Sequence, residues 1–254
     1  MQLRILGCSG GIGDGLRTTS YLVNDTILID GGTGIGALTL EEMRKIRHVF
    51  LTHAHLDHIA GLPLLVDTIF HALKTPLLLH AQPETIGALQ EHIFNWKIWP
   101  DFSELPDEHS PVMTFVPMTQ AEDVTVDGLT FRLIPVDHTV PSTALYVTDG
   151  DRSFCFSGDT GTNERLWAGL NQQDDLDFLL MECAFPNENE ELARLSKHYW
   201  PTQLAEDLKR LRHRPRIGIT HLKPGGEADT WRQCQEAIQG FEIFKVEHDQ
   251  VIDV

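Results

Sequence analysis

The chain has 254 residues, of which 41% are hydrophobic, and its formal net charge is −17. This length suits a globular protein with a sizeable core, and because no basic run is present, a long nucleic acid partner is disfavoured. The four cysteines form no CxxC pair, and neither a secretory signal nor an apolar run as long as a membrane span is present, so a cytoplasmic protein with free thiols is the expectation.

The first part of the chain is typical of short strands that are separated by turns. Strands are predicted for QLRILG, which runs into the glycine-rich loop GCSGGIGDG, and for SYLVND and TILIDGG, which form a hairpin with Asn24 and Asp25 in its turn. Further strands are predicted for HVFLT and TPLLLHA. Helical periodicity marks HIAGLPLLVDTIFHALK, with an early interruption at Pro63, and PETIGALQEHIFNWKIW, which starts near Pro83.

Residues 91–118 end the first part of the chain and contain turn-rich sequence that could form a surface loop or a lid. The aromatic residues of this segment are more typical of a core or dimer interface than of a base-stacking platform. The second part of the chain repeats the pattern of strands and helices. Strands are then predicted for DVTVDG, LTFRLIPV, TALYVTD, SFCFSGD, DLDFLLME and PRIGITHL, and a helix for PTQLAEDLKRLRHR with Thr202 as its N-cap. We expect a single α/β domain with two similar halves, about 1–120 and 121–254, that forms two sheets between helices.

The stretch FLTHAHLDHIAGL has the strongest chemical signal in the sequence. His53 and His55 are two residues apart on an extended segment and therefore point to the same side, where they can bind one ion. Asp57 and His58 follow where the chain turns into a helix and point to a neighbouring position. Imidazole and carboxylate ligands suit zinc, manganese or iron(II), but one loop cannot complete two metal sites.

Three polar residues, each at the end of an apolar strand, are the candidates for the missing ligands. They are His138 in LIPVDHTV, Asp159 in FCFSGDTG and His221 in IGITHL. Taken singly, each is more typical of a surface or capping residue than of a ligand. Because ligands gather at the carboxyl ends of strands in α/β sheets, their position together with the histidine cluster favours metal binding.

On these motifs the sequence resembles the metallo-β-lactamase superfamily, whose signature HxHxDH is matched by HAHLDH. The resemblance covers nearly the whole chain and implies a four-layer αββα sandwich with two divalent metal ions, zinc first and manganese or iron(II) as alternatives. It also implies the role of each ligand: His53, His55 and His138 on one metal, Asp57, His58 and His221 on the other, Asp159 between them, and Asp30 in TILIDGG supporting a metal-binding histidine from behind.

Within the superfamily, the sequence is most similar to class II 3′,5′-cyclic nucleotide phosphodiesterases, which carry HxHLDHxxGL where this chain has HAHLDHIAGL. Transfer-RNA 3′-processing endonucleases usually carry glycine at the position of Leu56. The later stretches SGDTG, MECAFPNE and ITHLKP also resemble the phosphodiesterases. The resemblance therefore implies hydrolysis of a small cyclic phosphodiester to a 5′-monophosphate by a hydroxide between the two metals, and a homodimer with no membrane partner.

Further residues are candidates for catalysis or substrate binding. Asp57 is counted with the catalytic residues, and His198 in LSKHYWPTQL is the candidate proton donor, oriented by Glu182. The alternative is that Glu182 is a surface acid and His198 a solvated loop residue. Phosphate contacts are assigned to Ser20, Thr160 and Lys223, and the glycine-rich loop is either an anion-binding segment or a tight turn.

Three other functions remain open. A transfer-RNA 3′-processing endoribonuclease would share the metal ligands, although the acidic composition and Leu56 argue against it. A lactone or thioester hydrolase would use the same metals on a carbon ester. A metal-binding protein without catalytic activity is disfavoured because all seven expected ligands are present.

Overall fold

The computed structural model describes residues 1–254 and contains two seven-stranded sheets. The first sheet has the spatial order β14-β1-β2-β3-β4-β5-β6, and its strands are β1 (Gln2–Gly7), β2 (Ser20–Val23), β3 (Ile27–Ile29), β4 (His48–Phe50), β5 (Leu77–Ala81), β6 (Met113–Pro117) and β14 (Val251–Asp253). The second sheet has the order β13-β12-β11-β10-β9-β8-β7, with β7 (Val124–Val126), β8 (Leu129–Pro135), β9 (Thr143–Thr148), β10 (Ser153–Phe156), β11 (Phe178–Glu182), β12 (Arg216–Thr220) and β13 (Ile243–Lys245).

Eight α-helices connect or flank these strands: α1 (Leu40–Met43), α2 (Leu56–Ile59), α3 (Leu62–Ile69), α4 (Pro83–His92), α5 (Glu164–Leu170), α6 (Glu190–Ser196), α7 (Pro201–Leu208) and α8 (Glu227–Ala237). None of the helices is both long and apolar enough to cross a membrane.

Three apolar layers hold the elements together and confirm the predicted αββα sandwich. One layer lies between the first sheet and helices α3 and α4, where Leu65 and Leu89 are buried. A second lies between the second sheet and helices α5, α7 and α8. The third lies between the two sheets, where the rings of Phe50 and Phe131 stack with centroids 3.8 Å apart. Burying each such side chain stabilises the fold by about 1.5–3 kcal/mol, because its apolar surface is removed from water.

The hairpin of β2 and β3 has the predicted turn, since Asn24 and Asp25 both have left-handed backbone angles that suit their residue types. The helical stretch that begins at His58 is interrupted near Pro63, as predicted: α2 ends at Ile59 and α3 begins at Leu62, so that Pro63 lies in a first turn, where proline is tolerated. The N-cap prediction needs correction. Thr202 is not an N-cap: α7 starts at Pro201, and the Thr202 hydroxyl donates instead to Asn187 Oδ1 at 2.9 Å.

The segment that follows α4 is part of the core of the first half. Its side chains Phe94 and Phe102 are buried in the layer between the first sheet and its helices, whereas Trp96 is exposed. The helix predicted to reach Trp99 ends at His92, and a short bridge pairs Phe94 with Trp99. The aromatic residues of this segment therefore mainly serve packing.

Parallel pairing sets the position of the loops that matter for function. Strands β3 to β6 are parallel in the first sheet, and β10 to β13 are parallel in the second. The segments that leave the carboxyl ends of such strands lie along one edge of their sheet. The polar residues that follow β4, β8, β10, β11 and β12 converge at this edge.

Candidate metal centre

The histidine cluster and the strand-end residues meet at this edge of the sandwich. His53 and His55 lie in the loop after β4, and Asp57 and His58 lie in the first turn of α2. His138 follows β8, Asp159 follows β10 and His221 follows β12. The structure thus brings together all seven residues that the sequence predicted as ligands.

These residues form two groups, and Asp159 belongs to both. Within each group, the ligand atoms lie within 4.8 Å of one another. The first group is His53, His55, His138 and Asp159, and the second is Asp57, His58, Asp159 and His221. In the first group His55 Nδ1 is 3.1 Å from His138 Nε2. In the second, Asp159 Oδ2 is 3.3 Å from His58 Nε2 and 3.2 Å from His221 Nε2. Each group could hold one cation.

The polar atoms inside the cluster support a bound cation. His53 Nε2, His58 Nε2 and Asp159 Oδ1 are buried and have no hydrogen-bond partner within the protein. Leaving a buried polar group without a partner costs about 1–3 kcal/mol, so such atoms are rare unless a ligand satisfies them. Nitrogen and carboxylate ligands in groups of four suit zinc, manganese or iron(II), and the residues fit a divalent metal ion.

Asp30 determines, directly or through Thr52, where the proton lies on one imidazole ring of each ligand group. Its Oδ2 atom accepts from His58 Nδ1 at 2.6 Å and from the Thr52 hydroxyl at 2.8 Å. Because that hydroxyl donates to Asp30, its oxygen accepts from His53 Nδ1, which lies 3.0 Å away. Asp30 therefore fixes the tautomer that leaves Nε2 of both His53 and His58 free as a metal ligand. Asp30 thus lies where a residue supporting a metal-binding histidine was predicted, and the relay through Thr52 is an addition from the structure.

In two other candidate ligands, His138 and His221, the second ring nitrogen lies close to a residue that is distant in the sequence. His138 Nδ1 lies 3.0 Å from the backbone carbonyl of Lys197, which ends α6 in a left-handed conformation. His221 Nδ1 lies 3.4 Å from the Thr19 hydroxyl. Neither Lys197 nor Thr19 was predicted, although Thr19 directly precedes the predicted strand SYLVND.

Burial keeps most of these imidazoles in the neutral form that binds metal. It lowers the pKa of His53 and His221 well below the usual value and lowers that of His138 to about 4. His58 differs: burial also acts to lower its pKa, but the carboxylates of Asp159 and Asp30 outweigh burial and raise it. A cation at this position would take the place of that proton, because metal and proton compete for Nε2.

Glu182 and His198 form a buried pair beside the ligand groups. His198 Nδ1 lies 2.8 Å from Glu182 Oε1, which also accepts the Thr160 amide at 2.9 Å. The His198 ring lies between the two groups, with centroids 5.0 Å from His138 and 5.3 Å from His221. Burial alone would lower the pKa of His198, but the adjacent Glu182 carboxylate raises it overall. This geometry contradicts the alternative of a solvated loop histidine and a surface acid.

Two of the three predicted phosphate contacts need correction. Ser20 is fully buried in β2, and its hydroxyl donates to the Asp30 carbonyl at 3.2 Å. Thr160 is also fully buried, and its hydroxyl bonds to nearby backbone carbonyls. Neither side chain is available to a substrate, because both are buried and their hydroxyl groups already bond to backbone carbonyls. Lys223 is different: it is half-buried, and its ammonium group is 3.8 Å from Asp57 Oδ2.

The glycine-rich loop packs directly against a residue of the second group. A side-chain carbon at Gly10 would lie 2.7 Å from the His221 carbonyl oxygen, so only glycine allows this close approach. In the same loop, the Gly10 carbonyl oxygen accepts a hydrogen bond from Lys223 Nζ at 2.7 Å. The observed contacts are those of a tightly packed turn that supports His221.

A four-layer sandwich with these ligand groups at its strand ends defines a hydrolase of the metallo-β-lactamase type. The profile of the family described as "Beta-lactamase superfamily domain" matches residues 25–238, and the chain belongs to this family.

Relatives with assigned names include phosphodiesterases. A "Probable 3′,5′-cyclic-nucleotide phosphodiesterase" of Yersinia pestis is 28% identical over 86% of this chain and 77% of its own length. A "3′,5′-cyclic-nucleotide phosphodiesterase" of Aliivibrio fischeri is 24% identical over 80% of this chain and 73% of its own length. Among solved structures, unliganded yeast PDE1 has a TM-score of 0.82 with 18% identity and 98% coverage of both chains, which is a likeness of fold.

Proposed function

We propose that this chain is a dinuclear-metal phosphodiesterase that hydrolyses 3′,5′-cyclic nucleotides, cyclic AMP or cyclic GMP, to 5′-nucleoside monophosphates. The observation that carries the proposal is the buried His198–Glu182 pair between the two ligand groups. It supplies a proton donor next to the position where metal ions would bind a phosphodiester. The names of the two bacterial relatives support the substrate class.

The two groups of candidate ligands support the division of metal ligands that the resemblance implied. His53, His55 and His138 would hold one ion, Asp57, His58 and His221 the other, and Asp159 both. When bound, two divalent ions polarise the phosphoryl oxygens and lower the pKa of water to about 7, so that a nucleophile is available at neutral pH. Zinc, manganese and iron(II) all suit these ligands.

The side chains around the metals would manage the protons of the reaction. As water attacks phosphorus, the bond from phosphorus to the 3′-oxygen breaks, and that oxygen takes a proton from His198 Nε2. Glu182 holds Nδ1 of the same ring at 2.8 Å and so keeps Nε2 directed towards the site. Asp57, half-buried at the open side of the cluster, would accept the proton that water loses, and Lys223 beside it would offset the charge of the phosphate.

Competing substrates are distinguished by composition and by assay. The chain carries 20 basic and 37 acidic side chains, a balance that opposes the grip on a long RNA. The test is a panel of cyclic AMP, cyclic GMP, a precursor transfer RNA and a lactone with added Mn²⁺ or Zn²⁺. Release of 5′-AMP or 5′-GMP is the expected result, and cleavage of only the RNA or the lactone would overturn the proposal.

A matched pair of variants excludes a contaminating phosphodiesterase. His138→Gln removes a ligand of the first group and should abolish release of the 5′-nucleotide. His92→Gln changes a histidine at the exposed end of α4, far from the cluster in the fold, and should leave the rate unchanged. Equal activity in both variants would show that the measured hydrolysis does not come from this metal centre.

A further inference from the structure

A cavity of about 370 Å³ opens directly beside His138, at the carboxyl end of β8. Gln82, Gln120 and Arg165 line it together with residues 135–142. Its volume lies within the range of roughly 300–1,000 Å³ that is typical of small-molecule sites. Because His138 of the first ligand group lines this cavity, a substrate that is anchored at the metal centre can extend into the cavity.

Three of the larger polar side chains of this cavity make no hydrogen bond or ion pair within the protein. Gln82 occupies the N-cap position of α4, but its side chain does not cap the helix, and its Nε2 atom is buried without a hydrogen-bond partner. A buried amide donor without a partner is unfavourable, so we expect the Gln82 carboxamide to turn towards a ligand that enters the cavity. Gln120 is exposed and makes no side-chain hydrogen bond within the chain, and Arg165 forms no ion pair.

The acidic group of the cavity is already neutralised. Asp137 lies on its wall, but its carboxylate accepts from Lys197 Nζ at 2.8 Å. The groups left to a ligand are therefore two carboxamides, one guanidinium and the Thr139 hydroxyl. A carboxamide offers a donor and an acceptor side by side, which matches the N7 acceptor and the N6 donor of adenine.

We propose that this cavity binds the purine base of the substrate and that Gln82 and Gln120 are specificity-determining residues that recognise the edge of the base. The inference rests on the proposed phosphodiesterase function and adds to it a position for the base. The phosphate would lie at the metal centre, and the base would lie beyond His138, between the start of α4 and the turn that follows β6. Adenine is the base that the two carboxamides fit best.

The experiment measures kcat and KM for three substrates in the metal-loaded protein. Cyclic AMP is compared with the 3′,5′-cyclic phosphate of purine riboside, which lacks the 6-amino group, and with bis-p-nitrophenyl phosphate, which has no base. The wild-type chain should favour cyclic AMP over the riboside analogue by about tenfold in kcat/KM, as expected for one or two hydrogen bonds. Gln82→Leu and Gln120→Leu should reduce this preference towards onefold, mainly through KM.

Controls separate base recognition from a structural effect. Both variants should hydrolyse bis-p-nitrophenyl phosphate within about twofold of the wild-type rate, because the hydrogen bonds they lose are to the base. Gln90→Leu, on the exposed face of α4, should leave all three rates unchanged. Since Gln120 is exposed in a turn, its variant remains informative even if Gln82→Leu perturbs folding.

Three outcomes would overturn the inference. One is a preference for cyclic AMP that stays at the wild-type value in both variants. Another is an equal loss on all three substrates, which would indicate a structural role for the glutamines. The third is a wild-type chain that hydrolyses bis-p-nitrophenyl phosphate but no cyclic nucleotide, which would remove the proposed function itself before any variant is made.

Discussion

Asp30→Asn is the substitution that most directly tests how the ligand groups are organised. Asp30 is fully buried, and all three of its partners donate to it: the Thr52 amide, the Thr52 hydroxyl and His58 Nδ1, at 2.8, 2.8 and 2.6 Å. Its backbone φ is 55°, a left-handed value that asparagine also tolerates. Asparagine therefore keeps the backbone and the volume and changes only the hydrogen-bond pattern.

The effect on the metals follows from the direction of these bonds. The new amide nitrogen cannot face the Thr52 amide, because two donors would meet, so it must face His58 and the Thr52 hydroxyl. His58 Nδ1 then has to accept, and the freed Thr52 hydroxyl donates to His53 Nδ1. Both rings adopt the tautomer with a proton on Nε2, the atom that should bind metal. Loss of such a supporting partner lowers metal affinity by about 10- to 100-fold, or roughly 1.4–2.7 kcal/mol for each ion.

The assay is a competition titration of the purified protein against a chromophoric chelator, with metal content measured after dialysis. We expect weaker binding of both ions, since His53 and His58 belong to different groups. Asp177→Asn is the matched control, because Asp177 accepts the Ser153 amide at 2.8 Å at the opposite end of the second sheet. Wild-type affinity for both ions in Asp30→Asn, or equal losses in the two variants, would refute the reasoning.

Three other substitutions test separate parts of the structure. His198→Ala should lower turnover by about 10²- to 10⁴-fold while metal content stays unchanged, and unchanged turnover would rule out the proton-donor role. His80 is buried, and burial lowers its pKa from 6.5 to about 4, so its stabilising effect is present above pH 6.5 and is lost as the pH falls towards 4. His80→Phe preserves the stack on Phe50 but removes the titrating group. Between pH 7 and pH 5, the unfolding free energy of the metal-free variant, measured by urea denaturation, should fall by about 2 kcal/mol less than that of the metal-free wild-type protein. An equal fall in both proteins would contradict this assignment. Gly10→Ala places a carbon 2.7 Å from the His221 carbonyl and should weaken metal binding in the second group, seen as a lower metal-to-protein ratio, whereas Gly87→Ala, where a side chain meets open space, should bind normally.

The sequence alone was sufficient for the fold class and for the seven candidate ligands. Alternating apolar strands, turn residues and a dense HxHxDH motif are local signals, and they depend on geometry within a few residues of chain. The hairpin at Asn24 and Asp25 and the cluster from His53 to His58 could be predicted for this reason. His138, Asp159 and His221 followed because each stands at the end of an apolar strand.

Only the tertiary structure decided which polar groups remain free to act. Ser20 and Thr160 looked suitable for a phosphate, but the fold buries them and directs their hydroxyl groups to backbone carbonyls. In contrast, Thr19 supports His221 across 202 residues of sequence. Likewise, Gln82 and Gln120 come together only in the cavity beside His138. Such contacts arise from the pairing of strands and helices that are distant in the chain. Local sequence patterns therefore identify the candidate metal ligands, but they do not identify the partners that orient these ligands or the surface that would recognise a base.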